Sequence, residues 1–548
     1  MLTRARVRAL AAERWPGLLG GVAVVGYAVL VVGFGLDFRP LHHDEVVTLH
    51  VAGQPSVGDV LHVAIWDRHG PPLHYLIVHA SLDWRHDILG LRLPSALFGI
   101  LAVGLAFGCG RELMGRAGGA AVAIVTAVSP ITIHLAQFAR GYTAMIACAY
   151  GSLWLLLVLV RTGRLRWAVP YALAALLLVA SHPFGLFALA SELVLLAGLG
   201  GHALLTRRRG DRRALVAMAA GLVLAAGAFL WLRHVYAPLQ SKYGVGEGGA
   251  VVDLASRPFW SDLASHVTGS SVPVYWLVVA AAVVAGIVAL ALRDRRAAVV
   301  ATVWLVLPLV LLQILTASSE DFAPERHLSF MLPGFAIALA GFALELGRLP
   351  GRRRIAGGVV LALLLAPLLV SGRNDLSNFN ADLRDASLGL AADFGPHDIL
   401  LTTGGIHGPL EDPRLFGAYA VLDAPDDTAL AHWKTVDAAS RCGLIRRLGQ
   451  RPYPQRVWLI AATHHPLDVA AALDGAGATT SIYGDFVVAV AEPRYTRTRS
   501  ALFLGTRLWR LVASGDPGVR DFRRMARLYR FAAHLDAAQL CPQAGPVT

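Results

Sequence analysis

The chain is poor in charged residues, which make up 16% of its 548 residues, whereas 55% are hydrophobic. Lysine is scarcer still, because Lys242 and Lys434 are the two lysines beside 47 arginines. A soluble globular protein of this composition would need many helices that are apolar on every side. The composition therefore excludes an ordinary soluble fold, and the preference for arginine over lysine favours a bacterial source with a GC-rich genome.

Cysteine and asparagine are also rare. Four cysteines are too few for a disulfide-rich scaffold, and the three asparagines form no glycosylation sequon. Cys109 and Cys148 fall in apolar stretches, where a small hydrophobic role is expected. Cys442 and Cys541 lie near the C-terminus, and the sequence leaves open whether they pair.

Long apolar stretches dominate what is present. Each reaches about the 20 residues that a helix needs to cross a bilayer. The sequence therefore predicts a polytopic α-helical membrane protein with about eleven transmembrane helices. They begin near Gly17, Leu91, Gly118, Gly141, Ala168, Phe184, Ala214, Val272, Ala297, Leu328 and Ile355.

The distribution of arginine predicts the orientation. With a cytoplasmic N-terminus, the inner segments 1–16, 110–117, 161–167, 205–213, 293–296 and 348–354 hold 21 arginines and no lysine. The short outer segments 133–141, 181–184, 233–271 and 317–327 hold five arginines or lysines. This bias predicts a multi-pass protein of the plasma membrane with an extracytoplasmic C-terminal region. Much of the net charge of +12 therefore comes from arginines that set the orientation in the membrane, and no nucleic-acid partner is expected.

The sequence divides into three parts. Residues 1–372 form the transmembrane module, and its first outer loop, 37–91, carries two short amphipathic segments typical of interfacial helices. Residues 373–497 read as a small α/β domain, with strands in 397–405 and 456–465, a helix in 466–478 and a hairpin around Gly484. Residues 498–548 form a basic tail that is predicted to be helical.

An acidic pair, Asp44 and Glu45, follows the first apolar stretch within LHHDEVVTLH. At that place it lies at the outer surface of the membrane, with His43 beside it. A carboxylate there can take the proton from a hydroxyl group that attacks an activated carbon. The second acid can orient a substrate or help to bind a divalent cation, although an ordinary acidic loop would look the same.

Positive and polar side chains recur at the outer ends of other helices. Arg140 and Tyr142 stand in QFARGYTA and His182 in SHPFG, and Arg68, His69, Arg326 and His327 complete the set. A phosphate on a lipid carrier lies at this depth, and guanidinium groups bind phosphate through paired hydrogen bonds. Anchoring of single arginines to lipid headgroups is the alternative explanation.

Five segments together resemble the GT-C membrane glycosyltransferases, in the branch of protein O-mannosyltransferases and bacterial aminoarabinose transferases. They are HHDEVVTL, HGPPLHYLIVH, LRLPSALFGI, SPITIHLAQFARGYTA and APERHLSFMLPGF, which span roughly residues 40–335. One departure is that His69 and Gly70 precede the first proline of the PP pair, where this branch often has lysine or arginine. Which side chain contacts the phosphate therefore stays open.

The resemblance implies an inverting transfer of a sugar from a polyprenyl-phosphate donor to an acceptor hydroxyl on the extracytoplasmic face. Asp44 would be the base with Glu45 beside it, and Arg140, Arg68 and His69 would face the donor phosphate. Mannose is the favoured sugar and arabinofuranose the next, while the acceptor is a glycan, a glycolipid or a protein. No cofactor is required by the sequence. The competing hypothesis is a transporter or flippase of a lipid-linked saccharide, which would place polar groups near the bilayer midplane.

Overall fold

The computed structural model describes residues 4–33, 36, 43–66, 70–85, 87–206, 209–243, 257–316, 326–377, 386, 389–390, 393, 399–403, 456–462, 466–474, 479–484 and 486–491. By its contacts the chain divides into two units. The first comprises Met1–Leu36 and Val47–Asn378, and the second comprises Asp37–Val46 and Phe379–Thr548. Cys442, Cys541 and the tail 498–548 lie outside the described residues.

The first unit is helical. Two 3₁₀ turns, Leu165–Trp167 and Arg326–Met331, lead into the helices that follow them. The helices are α1 (Arg4–Gly33), α2 (His43–Ala52), α3 (Val57–Trp66), α4 (Pro72–Trp84), α5 (Ile88–Val128), α6 (Pro130–Ala136), α7 (Tyr142–Thr162), α8 (Ala168–Ser181), α9 (Gly185–Thr206), α10 (Arg209–Tyr243), α11 (Arg257–Thr268), α12 (Pro273–Arg293), α13 (Arg295–Thr316), α14 (Leu332–Arg348) and α15 (Arg352–Ser377).

Eight helices of the described part are long and apolar enough to cross a membrane. The 41-residue α5 covers two of the predicted stretches, and Gly115, with φ of 76°, interrupts its helical geometry between them. Large apolar side chains are exposed on these helices, Leu292 at 81% and Leu277 at 71% among them. Such surfaces face lipid tails rather than water, so the polytopic α-helical architecture predicted from the sequence is confirmed.

The long α5 is the centre of the helical packing, with α1, α7 and α14 against it. Buried side chains of α1 and α6 join these helices through hydrogen bonds to backbone carbonyl groups. The Tyr27 hydroxyl donates to the Thr132 carbonyl at 2.8 Å, and the Gln137 amide donates to the Val31 carbonyl at 2.6 Å. The last carbonyls of a helix have no partner within it, and Gln137 supplies one for Val31 near the end of α1.

A buried carboxyl group lies inside the bundle as well. Glu192 of α9 is fully buried, and its two oxygens accept hydrogen bonds from Ser152 at 2.6 Å and from Tyr171 at 2.8 Å. A buried carboxyl group is tolerated when its oxygens are bonded in this way. These bonds join α9 to α7 and α8. The two described cysteines are free, and Cys109 donates from its sulfur to the Tyr150 carbonyl at 3.1 Å.

The first outer loop contains the two helices that the amphipathic spacing predicted, α3 and α4. It also contains α2, which the sequence analysis treated as loop. The helix α2 begins at His43, so Asp44 and Glu45 occupy its first turn, where the helix dipole favours negative charge. The other end of α2 is bound to α4 through the His79 ring, whose Nδ1 lies 2.8 Å from the Ala52 carbonyl oxygen.

The second unit contains a helix, α16 (Pro466–Asp474), and four strands, β1 (Ile399–Thr403), β2 (Val457–Ala462), β3 (Thr479–Tyr483) and β4 (Phe486–Ala491). The strands form one sheet in the order β1-β2-β4-β3. Strand β1 pairs parallel with β2, whereas β2 with β4 and β3 with β4 are antiparallel. Gly484, with φ of 54°, forms the turn of the predicted hairpin. The predicted strands, helix and hairpin of this region are confirmed.

Candidate active site

A cavity of about 250 Å³ opens in the first unit where three turns meet. The turns precede α4, connect α6 to α7 and connect α8 to α9. Its walls hold one guanidinium group, two imidazoles, two phenols and a serine hydroxyl, and none of the described residues that line it is acidic. The lining residues are Gly70, Pro71, His74, Tyr75, Arg140, Gly141, Tyr142, Ser181, His182, Pro183 and Phe184.

The local sequence explains why these turns meet. Two prolines start α4, with Pro71 preceding the helix and Pro72 in its first turn, where the missing amide hydrogen costs no bond. A Cβ atom at Gly141 would lie only 2.4 Å from the Ser181 carbonyl oxygen. Glycine therefore allows the start of α7 to approach the end of α8 directly. This contact places the side chains on both sides of Gly141 beside those that follow Ser181.

Arg140 contributes the positive charge of the cavity. Its guanidinium Nη1 donates to the Tyr75 hydroxyl at 3.0 Å, so α4 helps to orient it. The backbone around it is fixed too, because the Arg140 amide donates to the Phe138 carbonyl at 2.7 Å and the Ser95 hydroxyl donates to the Arg140 carbonyl at 3.4 Å. A guanidinium group held in this way presents several donors to an anion in the cavity.

Tyr142 and His182 form an aromatic pair across the cavity wall, with ring centroids 4.9 Å apart. The Phe184 amide donates to Nδ1 of His182 at 3.3 Å. Because Nδ1 then accepts a hydrogen bond, the neutral ring carries its proton on Nε2, as assigned from this bond. His182 thus offers a donor to a ligand without needing a positive charge.

His74 is the most buried ionisable group of the cavity wall, with 2% of its surface exposed. The pKa of His74 is lowered to about 4, mainly by burial, with a raising contribution from the Ala139 backbone and a lowering one from the charge of Arg140. Among the described residues, neither ring nitrogen has a hydrogen-bond partner of regular geometry. The ring is therefore neutral at physiological pH.

The structure brings together three of the residues selected from the sequence, namely Arg140, Tyr142 and His182. It adds His74, Tyr75 and Ser181, which the sequence analysis did not select. The two prolines of HGPPLHYLIVH were a usable signal for His74 and Tyr75, because they fix where α4 begins and hence which residues follow in its first turn.

The other selected residues are placed less fully. Arg68 and His69 lie outside the described residues. Arg326 and His327 begin a 3₁₀ turn, but their side chains are outside the described part, as are those of His43 and Asp44 in α2. Glu45 is described, and only 1% of its surface is exposed. The acidic pair falls in the second unit by contacts, whereas the cavity belongs to the first.

In the described part of the chain, no three histidine, cysteine or acidic side chains are grouped as metal ligands would be. A divalent cation beside Asp44 and Glu45 stays a prediction, since the Asp44 side chain is outside that part. The polar groups of the cavity fit an anion better than a metal ion, because guanidinium and phenol groups can donate hydrogen bonds to an anion.

Comparisons with solved structures identify the fold. ArnT from Cupriavidus metallidurans, in the apo state and bound to undecaprenyl phosphate, aligns with a TM-score of 0.50 and 16% identity, over 88% of this chain and 98% of ArnT. The archaeal oligosaccharyltransferase AglB from Archaeoglobus fulgidus, in complex with an inhibitory peptide and a dolichol-phosphate, aligns with a TM-score of 0.49 and 11% identity, over 82% and 70% of the two chains. No protein-family model and no curated protein matches. Identity this low speaks for the fold alone, and the chain has the GT-C fold of ArnT that the sequence predicted.

Proposed function

We propose that the protein is an inverting membrane glycosyltransferase that moves a sugar from a polyprenyl-phosphate donor to an acceptor hydroxyl group. The observation that carries the proposal is the cavity of about 250 Å³ that contains Arg140, His182 and Tyr142 and, among the described residues, no carboxylate. Hydrogen-bond donors around one fixed positive charge suit a phosphate diester. The fold is compatible with a polyprenyl-phosphate sugar donor, because one ArnT structure with this fold holds undecaprenyl phosphate.

In the proposed reaction the carrier phosphate is the leaving group, and negative charge grows on it as the bond to the sugar breaks. Arg140 stabilises that charge with a guanidinium group already oriented by Tyr75. His182 adds a neutral donor from Nε2, which its bond to the Phe184 amide leaves protonated. Donors arranged before the reaction stabilise developing charge without reorganising, which lowers the barrier.

The acidic pair supplies the base. Asp44 takes the proton of the acceptor hydroxyl as that hydroxyl attacks the anomeric carbon, and Glu45 lies beside it in the first turn of α2. Attack from the side opposite the phosphate inverts the anomeric configuration. Mannose is the proposed sugar and arabinofuranose the next, and the acceptor is a glycan, a glycolipid or a protein.

The phosphate site is tested by binding undecaprenyl phosphate to the protein in lipid nanodiscs. Arg140→Ala should weaken binding by about 1.5–3 kcal/mol, the worth of a hydrogen bond to a charged group. Arg140→Lys should restore part of the affinity, because a point charge cannot form paired bonds. Arg164→Ala, at an exposed arginine just after the far end of α7, is the matched control and should bind like the wild type. Unchanged affinity in Arg140→Ala would make this residue a headgroup anchor instead.

The proposed orientation places the reaction on the extracytoplasmic face of a bacterial plasma membrane. Single cysteines in place of Gln54 and Ser377 should then react with a membrane-impermeant thiol reagent in intact cells. A cysteine in place of Gly210, at the arginine-rich start of α10, should stay unlabelled until the membrane is permeabilised. Labelling of the Gly210 position alone would invert the topology and remove the argument for a carrier lipid.

A further inference from the structure

His74 is a part of the cavity wall to which the proposed reaction gives no task. It stands in the first turns of α4 next to Tyr75, the residue that bonds to Arg140. Its Cβ atom lies 3.5 Å from where a Cβ on Gly141 would be, so α4 packs here against the turn before α7. The ring thus borders the same cavity as the residues assigned to the phosphate.

The hydrogen-bonding capacity of His74 is not fully used, although the Ala139 backbone interacts with the ring. Neither ring nitrogen has a partner of regular geometry among the described residues, and both are buried. Leaving a buried polar group without a bond is unfavourable by about 1–3 kcal/mol. A buried unbonded group beside a cavity is explained when a ligand that enters the cavity provides the missing bonds.

The chemistry of a neutral imidazole limits what that ligand is. The ring has one N–H donor and one nitrogen acceptor, so both are satisfied only by groups that also donate and accept. An ionised phosphate diester only accepts, and an ammonium group only donates. Hydroxyl groups do both. A hydroxylated, uncharged sugar ring therefore matches His74, and the positive charge of Arg140 nearby disfavours a cationic sugar.

We propose that His74 determines specificity by hydrogen-bonding to hydroxyl groups of the sugar on the donor lipid. This inference rests on the proposed function, because it assumes that Arg140 and His182 hold the phosphate to which that sugar is attached. Both ring nitrogens are buried, so they reach a sugar only after the ring or its neighbours shift. Burial and Arg140 keep His74 neutral, which preserves its acceptor nitrogen.

The test compares three probes on full-length protein in lipid nanodiscs: undecaprenyl phosphate and its mannosyl and arabinofuranosyl phosphodiesters. The wild type should bind at least one of the sugar-bearing lipids more tightly than undecaprenyl phosphate. His74→Leu should weaken binding of that lipid about fivefold to tenfold, the worth of one or two neutral hydrogen bonds, and leave undecaprenyl phosphate binding within about twofold. His74→Gln keeps a donor and an acceptor and should restore most of the difference.

His62→Leu is the matched control, because His62 is an exposed histidine of the neighbouring α3 that does not line the cavity. Equal weakening of all three probes by His74→Leu would make His74 a phosphate ligand and overturn the proposal. No change in any probe, with the melting temperature preserved, would overturn it as well. If the wild type binds undecaprenyl phosphate but prefers neither sugar-bearing lipid, the sugar role fails while the phosphate site stands. If it binds none of the three, the proposed function itself fails.

Discussion

The contact at Gly141 allows a sharp test of the cavity, because this glycine separates two of its functional side chains. In Gly141→Ala the new Cβ atom would lie 2.4 Å from the Ser181 carbonyl oxygen, where ordinary contacts begin at 3.4 Å. The obstacle is backbone, so no side chain can rotate away to relieve it. The start of α7 must therefore move by about 1 Å relative to the end of α8, at a cost of about 1–3 kcal/mol in stability.

That displacement separates Arg140 and Tyr142 on one side from Ser181 and His182 on the other. A misplacement of about 1 Å can lower a catalysed rate about 100-fold, since the reacting groups no longer meet at the right distance. We expect undecaprenyl phosphate to bind about tenfold more weakly to Gly141→Ala than to the wild type. Sugar transfer should fall by about 10- to 100-fold.

Binding is measured in lipid nanodiscs and stability by the melting temperature of the same preparation. Gly104→Ala is the control, because a Cβ at that position of α5 meets nothing within 4 Å. The control should bind normally and melt at an equal or slightly higher temperature, as alanine favours a helix more than glycine does. Wild-type affinity in a folded Gly141→Ala would refute the view that this contact sets the geometry of the cavity.

Three further predictions concern single side chains. Asp44→Asn should lower transfer by about 100-fold or more with an unchanged melting temperature, and activity within about threefold of the wild type would contradict its role as base. Because the pKa of His74 is lowered to about 4 from 6.5, the folded protein binds fewer protons than the unfolded chain between these values. Stability should therefore fall by about 2 kcal/mol as pH drops from 7 to 5, and His74→Gln should remove that loss; an identical pH slope in both proteins would argue against it. Glu192→Leu leaves the hydroxyls of Ser152 and Tyr171 without their buried acceptor, so the melting temperature should fall, by an amount equivalent to about 1–3 kcal/mol. An equal or higher melting temperature would show that apolar packing replaces this network fully.

Much of the helical fold could be predicted from the sequence because membrane helices are set by length and apolarity. The stretches that begin near Leu91 and Gly118 lie in the single helix α5, and the break between them at Gly115 depends on a backbone conformation that glycine permits. The helix α2 was missed because it is neither long nor strongly apolar. It is short and carries polar residues at its start, so its hydrophobic pattern is too weak to separate it from a loop.

The site divides into side chains that the sequence can select and side chains that it cannot. Arg140 is conspicuous because it is the one arginine or lysine of the outer segment 133–141, whereas the inner segments hold 21 arginines. His74 is not conspicuous, since a histidine within a short amphipathic helix is ordinary. Its proposed role rests on burial and on ring nitrogens without a partner of regular geometry among the described residues, and both depend on how α4 packs against the turn before α7. That packing passes through Gly141, whose role appears only when the Ser181 carbonyl is in place.

Buried polar groups also fix the chain near the end of α1 and at the end of α2. Arg92, known from the sequence only as part of LRLPSALFGI, is 1% exposed and donates from Nη1 to the Leu36 carbonyl at 2.7 Å. Burying a guanidinium group is unfavourable unless it is hydrogen-bonded, and the Leu36 carbonyl supplies one such bond. Leu36 is the last described residue before the segment that leads to Asp44. On the other side, the bond between His79 and the Ala52 carbonyl holds the end of α2. These two bonds fix Leu36 and Ala52 within the first unit, on either side of residues 37–46 in the sequence.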